Sequence, residues 1–143
     1  MRNDLLSAST SSYDDLGKLL LRVVLAVLLL FHGVAKLTGG VGFITGMLEQ
    51  MGLPAAIGYL VYVGEVVAPL LILAGVWTRP AALVVAGNMI VAVLLVHTAE
   101  FFTLSETGGW ALELQGMFFF AALAVALLGA GRYSVGGRGG KGN

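Results

Sequence analysis

Four apolar runs dominate this sequence and restrict its architecture. They cover residues 19–37, 56–77, 81–97 and 110–129. Each is near the ~20 residues that a helix needs to cross a hydrocarbon core. The rest of the chain offers little that could face water. It is 58% apolar and 11% charged, with a mean hydropathy of +0.93, whereas a soluble domain carries about 25% charged residues. The expected fold is an all-α membrane protein, a four-transmembrane-helix bundle whose short connections make neighbouring helices antiparallel.

The basic residues set an expected orientation. Arg2, Lys18 and Arg22 precede or open the first run. Arg79 sits in the turn before the third, and Arg132, Arg138 and Lys141 follow the fourth. Only Lys36 falls on the other side, so seven of eight Lys and Arg share one face. By the positive-inside rule both termini are expected in the cytoplasm, with the protein multi-pass in its membrane. Trp77 and Tyr133 then mark the inner interface, and Phe101, Phe102 and Trp110 the outer one. Residues 1–18 read as a short cytoplasmic tail, partly disordered, without the basic stretch and cleavage site of a signal peptide. Residues 19–130 form the transmembrane domain. Residues 131–143 read as a disordered, Gly-rich basic cytoplasmic tail. Zero net charge argues against a basic face for nucleic acid. The chain has no cysteine, which excludes disulfide exchange by its own thiols, thiolate metal sites and iron–sulfur ligation.

The first outer loop is expected to hold a short amphipathic helix. Phe43, Met47 and Met51 recur at i, i+4 and i+8, with Ile44 and Leu48 beside them, and Gly52 and Pro54 stop the pattern. Such a helix either rests on the membrane surface or covers a site between the spans. Packing between the spans needs small residues in place of a hydrophobic drive. Gly64 with Ala68, Ala82 with Ala86, and Ala122 with Ala126 and Ala130 are spaced for it.

Ionisable groups inside these runs are costly, roughly 2.5–3.5 kcal/mol at mid-depth. His32 and Lys36 lie four residues apart on one face of the outer two turns of span one. Glu65 falls ~13 Å below the outer start of span two at 1.5 Å per residue. His97 ends span three with Glu100 one turn on, and span four opens with Glu113 and Gln115. Only Asn88 lies deeper. Each has a plain structural explanation: a packing histidine, a snorkelling lysine, a Lys36–Glu65 ion pair, and solvated groups at the interface. Gln115 points about 200° away from Glu113 and could line another seam. A shared level in all four spans is more specific than any one member. His32, Lys36, Glu65, His97, Glu113 and Gln115 are therefore the candidate ligand-binding and proton-relay residues. No metal site is expected, because no tight His–Glu spacing occurs and Lys36 would repel a cation. Haem between His32 and His97 is disfavoured by their place at the outer end. A proton-carrying carboxylate of a transporter and a pocket for a quinone head group both fit.

These residues carry a resemblance. Arg22 with Phe31-His32-Gly33-x-x-Lys36-Leu37, then Gly52-Leu53-Pro54, Gly64-Glu65, Leu73-x-Gly75, Thr78-Arg79, His97, Glu113 and Gly129-x-Gly131-Arg132-Tyr133-Ser134 stand in an order similar to the DoxX family of bacterial membrane proteins, over nearly all of residues 19–135. The family's closing Arg-Tyr-Ser-x-Asp departs here to Arg132-Tyr133-Ser134-Val135-Gly136, losing the acid. The resemblance implies a four-helix membrane protein tied to redox chemistry. Relatives include a subunit of a thiosulfate:quinone oxidoreductase and a membrane protein needed to mature a disulfide-rich amine dehydrogenase subunit. Distant eukaryotic relatives act as assembly factors. The expected function is a membrane subunit supporting quinone-linked oxidoreduction, in contact with membrane lipid and with a partner subunit or further copies of itself. The alternatives are a non-catalytic assembly or scaffold subunit and a small proton-coupled transporter.

Overall fold

The computed structural model describes residues 2–143, with side chains from Ser12 onward. It is all-α, with five helices and, among the described residues, no strand beyond an isolated bridge between Leu104 and Trp110. Helix α1 (Arg2–Gly39) is followed by the short α2 (Gly42–Gln50). A continuous apolar segment, Ala55–Ala74, comes next. It begins as a 3-10 turn, Ala55–Leu60, passes through a π-turn at Val63–Val67, and ends as α3 (Ala68–Ala74). Helices α4 (Thr78–Val96) and α5 (Glu113–Leu128) complete the chain.

Three of these segments are long and apolar enough to cross a membrane: Ser12–Gly39, Ala55–Ala74 and Thr78–Val96. The fourth run, expected as a span over residues 110–129, forms a shorter apolar helix. Helix α5 has 16 residues and covers ~24 Å at 1.5 Å per residue. Its expected first turn is taken by a hairpin instead. Ser105 N–H donates to the Gly109 carbonyl at 2.7 Å, Ala111 N–H to Thr103 at 3.0 Å, and the Trp110 indole to Phe101 at 2.7 Å.

Segment Ala55–Ala74 packs between α1 and α4, and α5 packs between α4 and α1, so the four apolar segments close into a ring. Their shared core holds Leu25, Ala26 and Leu29 of α1, Ala68 and Ile72 of α3, Ala82, Val85 and Ala86 of α4, and Phe118, Ala122 and Val125 of α5. The small residues singled out by spacing are where the helices meet: Gly64, Ala68, Ala82, Ala86, Ala122 and Ala130 are all buried. This is how apolar helices gain packing without a hydrophobic drive between them.

One end of the ring is closed by arginines. Buried Arg22 donates to the carbonyls of Ile72 and Leu73 at the end of α3, at 2.9 and 2.6 Å, to Ala130 at 3.2 Å, and to Tyr133. Arg79 donates to Ala126 and Leu127 in the last turn of α5, each at 2.8 Å. Both cations satisfy carbonyls that a helix C-terminus leaves without partners. The tail expected to be disordered folds back onto this end. Val135 N–H bonds the Ala74 carbonyl at 2.9 Å. The Asn143 amide bridges Thr78, Gly75 and Gly137, and Arg138 pairs with buried Asp15. Glycine-rich composition reads as disorder because it brings no apolar side chains. Here backbone hydrogen bonds and one amide hold the segment instead. Of the tail expected over residues 1–18, residue 1 lies outside the described residues and residues 2–18 belong to α1.

Candidate functional site

At the opposite end, a cavity of about 630 Å³ opens within the ring. A glycine on α1 creates its central contact. Gly33 is buried against the backbone of Glu65, where any β-carbon would overlap the Glu65 carbonyl. That approach brings α1 onto the π-turn of the second segment. One turn on, Lys36 Nζ reaches Glu65 Oε2 at 2.5 Å. Glu65 is 6% exposed. The lysine side chain is 28% exposed and lines the cavity beside the buried carboxylate. Tyr62 fixes the end of α1 by donating its hydroxyl to the Lys36 carbonyl at 3.0 Å.

The π-turn matters to this arrangement. Its widened backbone interrupts the regular α ladder over Val63–Val67, and such turns recur at functional sites. It carries Gly64 against α4, where a β-carbon would meet Asn88 Cγ at 2.5 Å. Asn88 in turn donates to Glu65 Oε1 at 3.4 Å. The carboxylate is thus held on one oxygen by a cation and on the other by an amide. Buried polar groups require partners of this kind.

The structure brings together five of the six sequence-derived candidates. His32, Lys36, Glu65, His97 and Gln115 all line the cavity. Glu113 does not line it. Its exposed carboxylate lies over the turn at Gly109. The offset between Glu113 and Gln115 holds, but the amide faces inward and the acid outward, because α5 begins at Glu113. His32 is exposed toward the mouth and packs edge-on against Phe118 of α5, with ring centroids 5.8 Å apart. His97 Nδ1 lies 3.0 Å from Glu100 Oε2, an exposed pair that joins the cavity rim to the outside. Among the described residues, no three His, Asp or Glu side chains converge to hold a metal ion.

Sequence reasoning missed Asn88 and Tyr62 as members. Asn88 stands out in the sequence as the polar side chain deeper than the shared level, and that depth sets it apart from the candidate set. Tyr62 gives no such signal. Helix α2 covers the outer side of the cavity with Phe43, Ile44 and Leu48. Its inward side is Ile44 and buried Leu48, packed on Gly58. The Phe43–Met51 stripe does not face the bundle as a whole, since Phe43 and Met51 are exposed.

This geometry can hold a mostly apolar molecule that carries a few hydrogen-bonding atoms. The volume lies in the range of small-molecule pockets, about 300–1,000 Å³. Most of the wall is aliphatic or aromatic, and Lys36, Glu65 and Asn88 converge at one place on it.

Among known proteins, the chain is 30% identical over 82 residues to a Bacillus subtilis (strain 168) protein named "Putative oxidoreductase CatD", a match covering 57% of this chain and 60% of that protein. The chain therefore matches about three fifths of that relative's length. No solved structure matches. The DoxX family profile matches residues 17–98, more than half the chain, and ends before Glu113 and the Arg132-Tyr133-Ser134 run. That stretch contains Arg22, Gly33, Lys36, Glu65, Asn88 and His97, and by it this protein belongs to the DoxX family.

Proposed function

We propose that this protein is a four-span subunit of the bacterial cytoplasmic membrane, with both termini in the cytoplasm, that supports quinone-linked oxidoreduction at the outer face. Membrane insertion is supported by the outward surface of the ring. Val24, Val27, Leu28 and Phe31 on α1, Leu83 and Leu94 on α4, and Phe120 and Leu127 on α5 are all exposed. An apolar exterior of this extent fits lipid and not water. Orientation follows the gathering of Arg22, Arg79, Arg132 and Arg138 at one end, with Lys36 at the other.

The observation that carries the functional reading is the Lys36–Glu65 pair in the cavity wall. A quinone head group needs donors for its carbonyl oxygens and a proton route, and the residues present fit both needs. Lys36 and His32 are the donors. Glu65 holds a proton site beside Lys36, and His97 with Glu100 connects the rim to outer water. A bound quinone supplies the acceptor for electrons and protons together. The chain's own residues position it and exclude water. With no cysteine in the sequence, a partner protein delivers the electrons. The oxidoreductase name of the Bacillus subtilis relative accords with this reading.

The test is purification in mild detergent, an assay for co-purifying quinone, and titration of a quinone analogue against wild type and Glu65→Gln. Binding by wild type that is weakened in the variant supports the proposal. If wild type binds none, alone or with its co-purifying partner, the redox reading fails and a scaffold role takes its place.

A further inference from the structure

The cavity has a second property that its polar corner does not explain. Part of its lining is exposed and wholly apolar. Leu60 and Val63 of the second segment are 62% and 41% exposed, and Val84 and Val91 of α4 are 42% and 51% exposed, yet all four line the cavity. They form the two rims of a seam between that segment and α4. Gly64 and Asn88 meet between these rims with no room for a β-carbon, and Ala68 and Ile72 share the core with Ala82 and Val85 further along the two elements. In a bundle surrounded by lipid this seam faces the hydrocarbon, while His97 and Glu100 lie at the end nearer water.

We infer that the ligand is an amphiphile whose alkyl or isoprenoid tail leaves through the seam lined by Leu60, Val63, Val84 and Val91, while its head stays at Lys36 and Glu65. This rests on the proposed quinone reading and adds the tail to it. Three observations commit the seam to a tail. The head-group corner is built from a buried carboxylate with both oxygens bonded. The seam borders that corner through Asn88, which packs on Gly64 and donates to Glu65 Oε1. Its walls carry no polar atom other than Asn88, which is already bonded to Glu65. A head group would gain nothing in the seam, whereas a tail there stays in contact with hydrocarbon and packs against apolar walls.

The experiment compares a long-tailed and a tail-less quinone analogue on the purified protein in nanodiscs. The proteins are wild type, Val91→Trp at the seam, and Leu127→Trp, an exposed position that does not line the cavity. Val91→Trp is expected to weaken the long-tailed analogue about tenfold, because the indole fills the space the tail would occupy. Binding of the tail-less analogue stays unchanged, which also shows that the variant is folded. Leu127→Trp changes neither. If Val91→Trp weakens both analogues alike or neither, the seam assignment is overturned while the head-group site stands. If wild type binds neither analogue, the quinone reading is overturned and the seam assignment with it.

Discussion

Gly33 of α1 lies against the peptide carbonyl of Glu65, and this backbone contact sets the reach of Lys36 to the Glu65 carboxylate one turn on. A residue with no side chain thereby governs the charged pair at the head of the cavity. The consequence is measurable. Gly33→Ala must push α1 from the second segment, and overpacking of this kind costs about 1–3 kcal/mol. Gly17→Ala, on the same helix with nothing near its β-position, should leave stability unchanged or raise it by up to about 1 kcal/mol. Thermal unfolding in detergent distinguishes the two. Equal melting temperatures for both variants would remove the contact from the account.

The two partners of the ion pair are not equivalent. Removing Lys36 leaves a buried carboxylate with only the Asn88 amide, whereas removing the charge of Glu65 leaves a lysine that can turn to the mouth. Lys36→Met should therefore destabilise by about 1–3 kcal/mol, and Glu65→Gln by less than about 1 kcal/mol. The double variant should recover part of the Lys36→Met loss. Denaturation of all four proteins gives the cycle, and strict additivity would show that the pair carries no coupling.

Arg22 is expected to be the costliest single surface-to-core cation to lose. Arg22→Met leaves carbonyls of Ile72, Leu73, Ala130 and Tyr133 without their shared donor, at about 3 kcal/mol. Arg22→Lys should rescue little, because an ammonium cannot reproduce the planar fork that serves carbonyls from separate elements. Arg132→Met, at an exposed side chain, is the control. Full rescue by lysine would contradict the clamp.

Membrane topology has its own test. Alkaline-phosphatase fusions after Gly40 and after Thr107 should be active, and fusions after Arg79 and at the C-terminus silent. An active fusion after Arg79 would reverse the orientation argued from the basic residues.

Much of this was legible in the chain, and the remainder was hidden for physical reasons. Apolar runs locate helices because burial and lipid contact both demand them, and the i, i+4 spacing of His32 and Lys36 placed both near the site. The short helix before Gly52 was equally plain. Hydropathy does not report backbone register, however. The π-turn at Val63–Val67 depends on how the second segment docks on α1 at Gly33 and, through Gly64, on α4, which is a tertiary fact. The inward turn of Gln115 and outward turn of Glu113 depend on where α5 begins, which the hairpin at Trp110 decides. Arg22 looked like one more inner-face charge. Its role as a buried donor to helix ends needs α3, α5 and the folded tail to be in place.

The claim at the centre of this account is that Lys36 donates a hydrogen bond to a quinone carbonyl in the cavity beside Glu65. The most direct measurement is the infrared carbonyl stretch of an isotope-labelled quinone bound to the purified protein, in wild type and in Lys36→Met. A band moved to lower frequency is expected in wild type for one of the two carbonyls, returning toward its free position in the variant. A bound quinone whose carbonyl bands match those of the free molecule, or are unaffected by loss of Lys36, would contradict it.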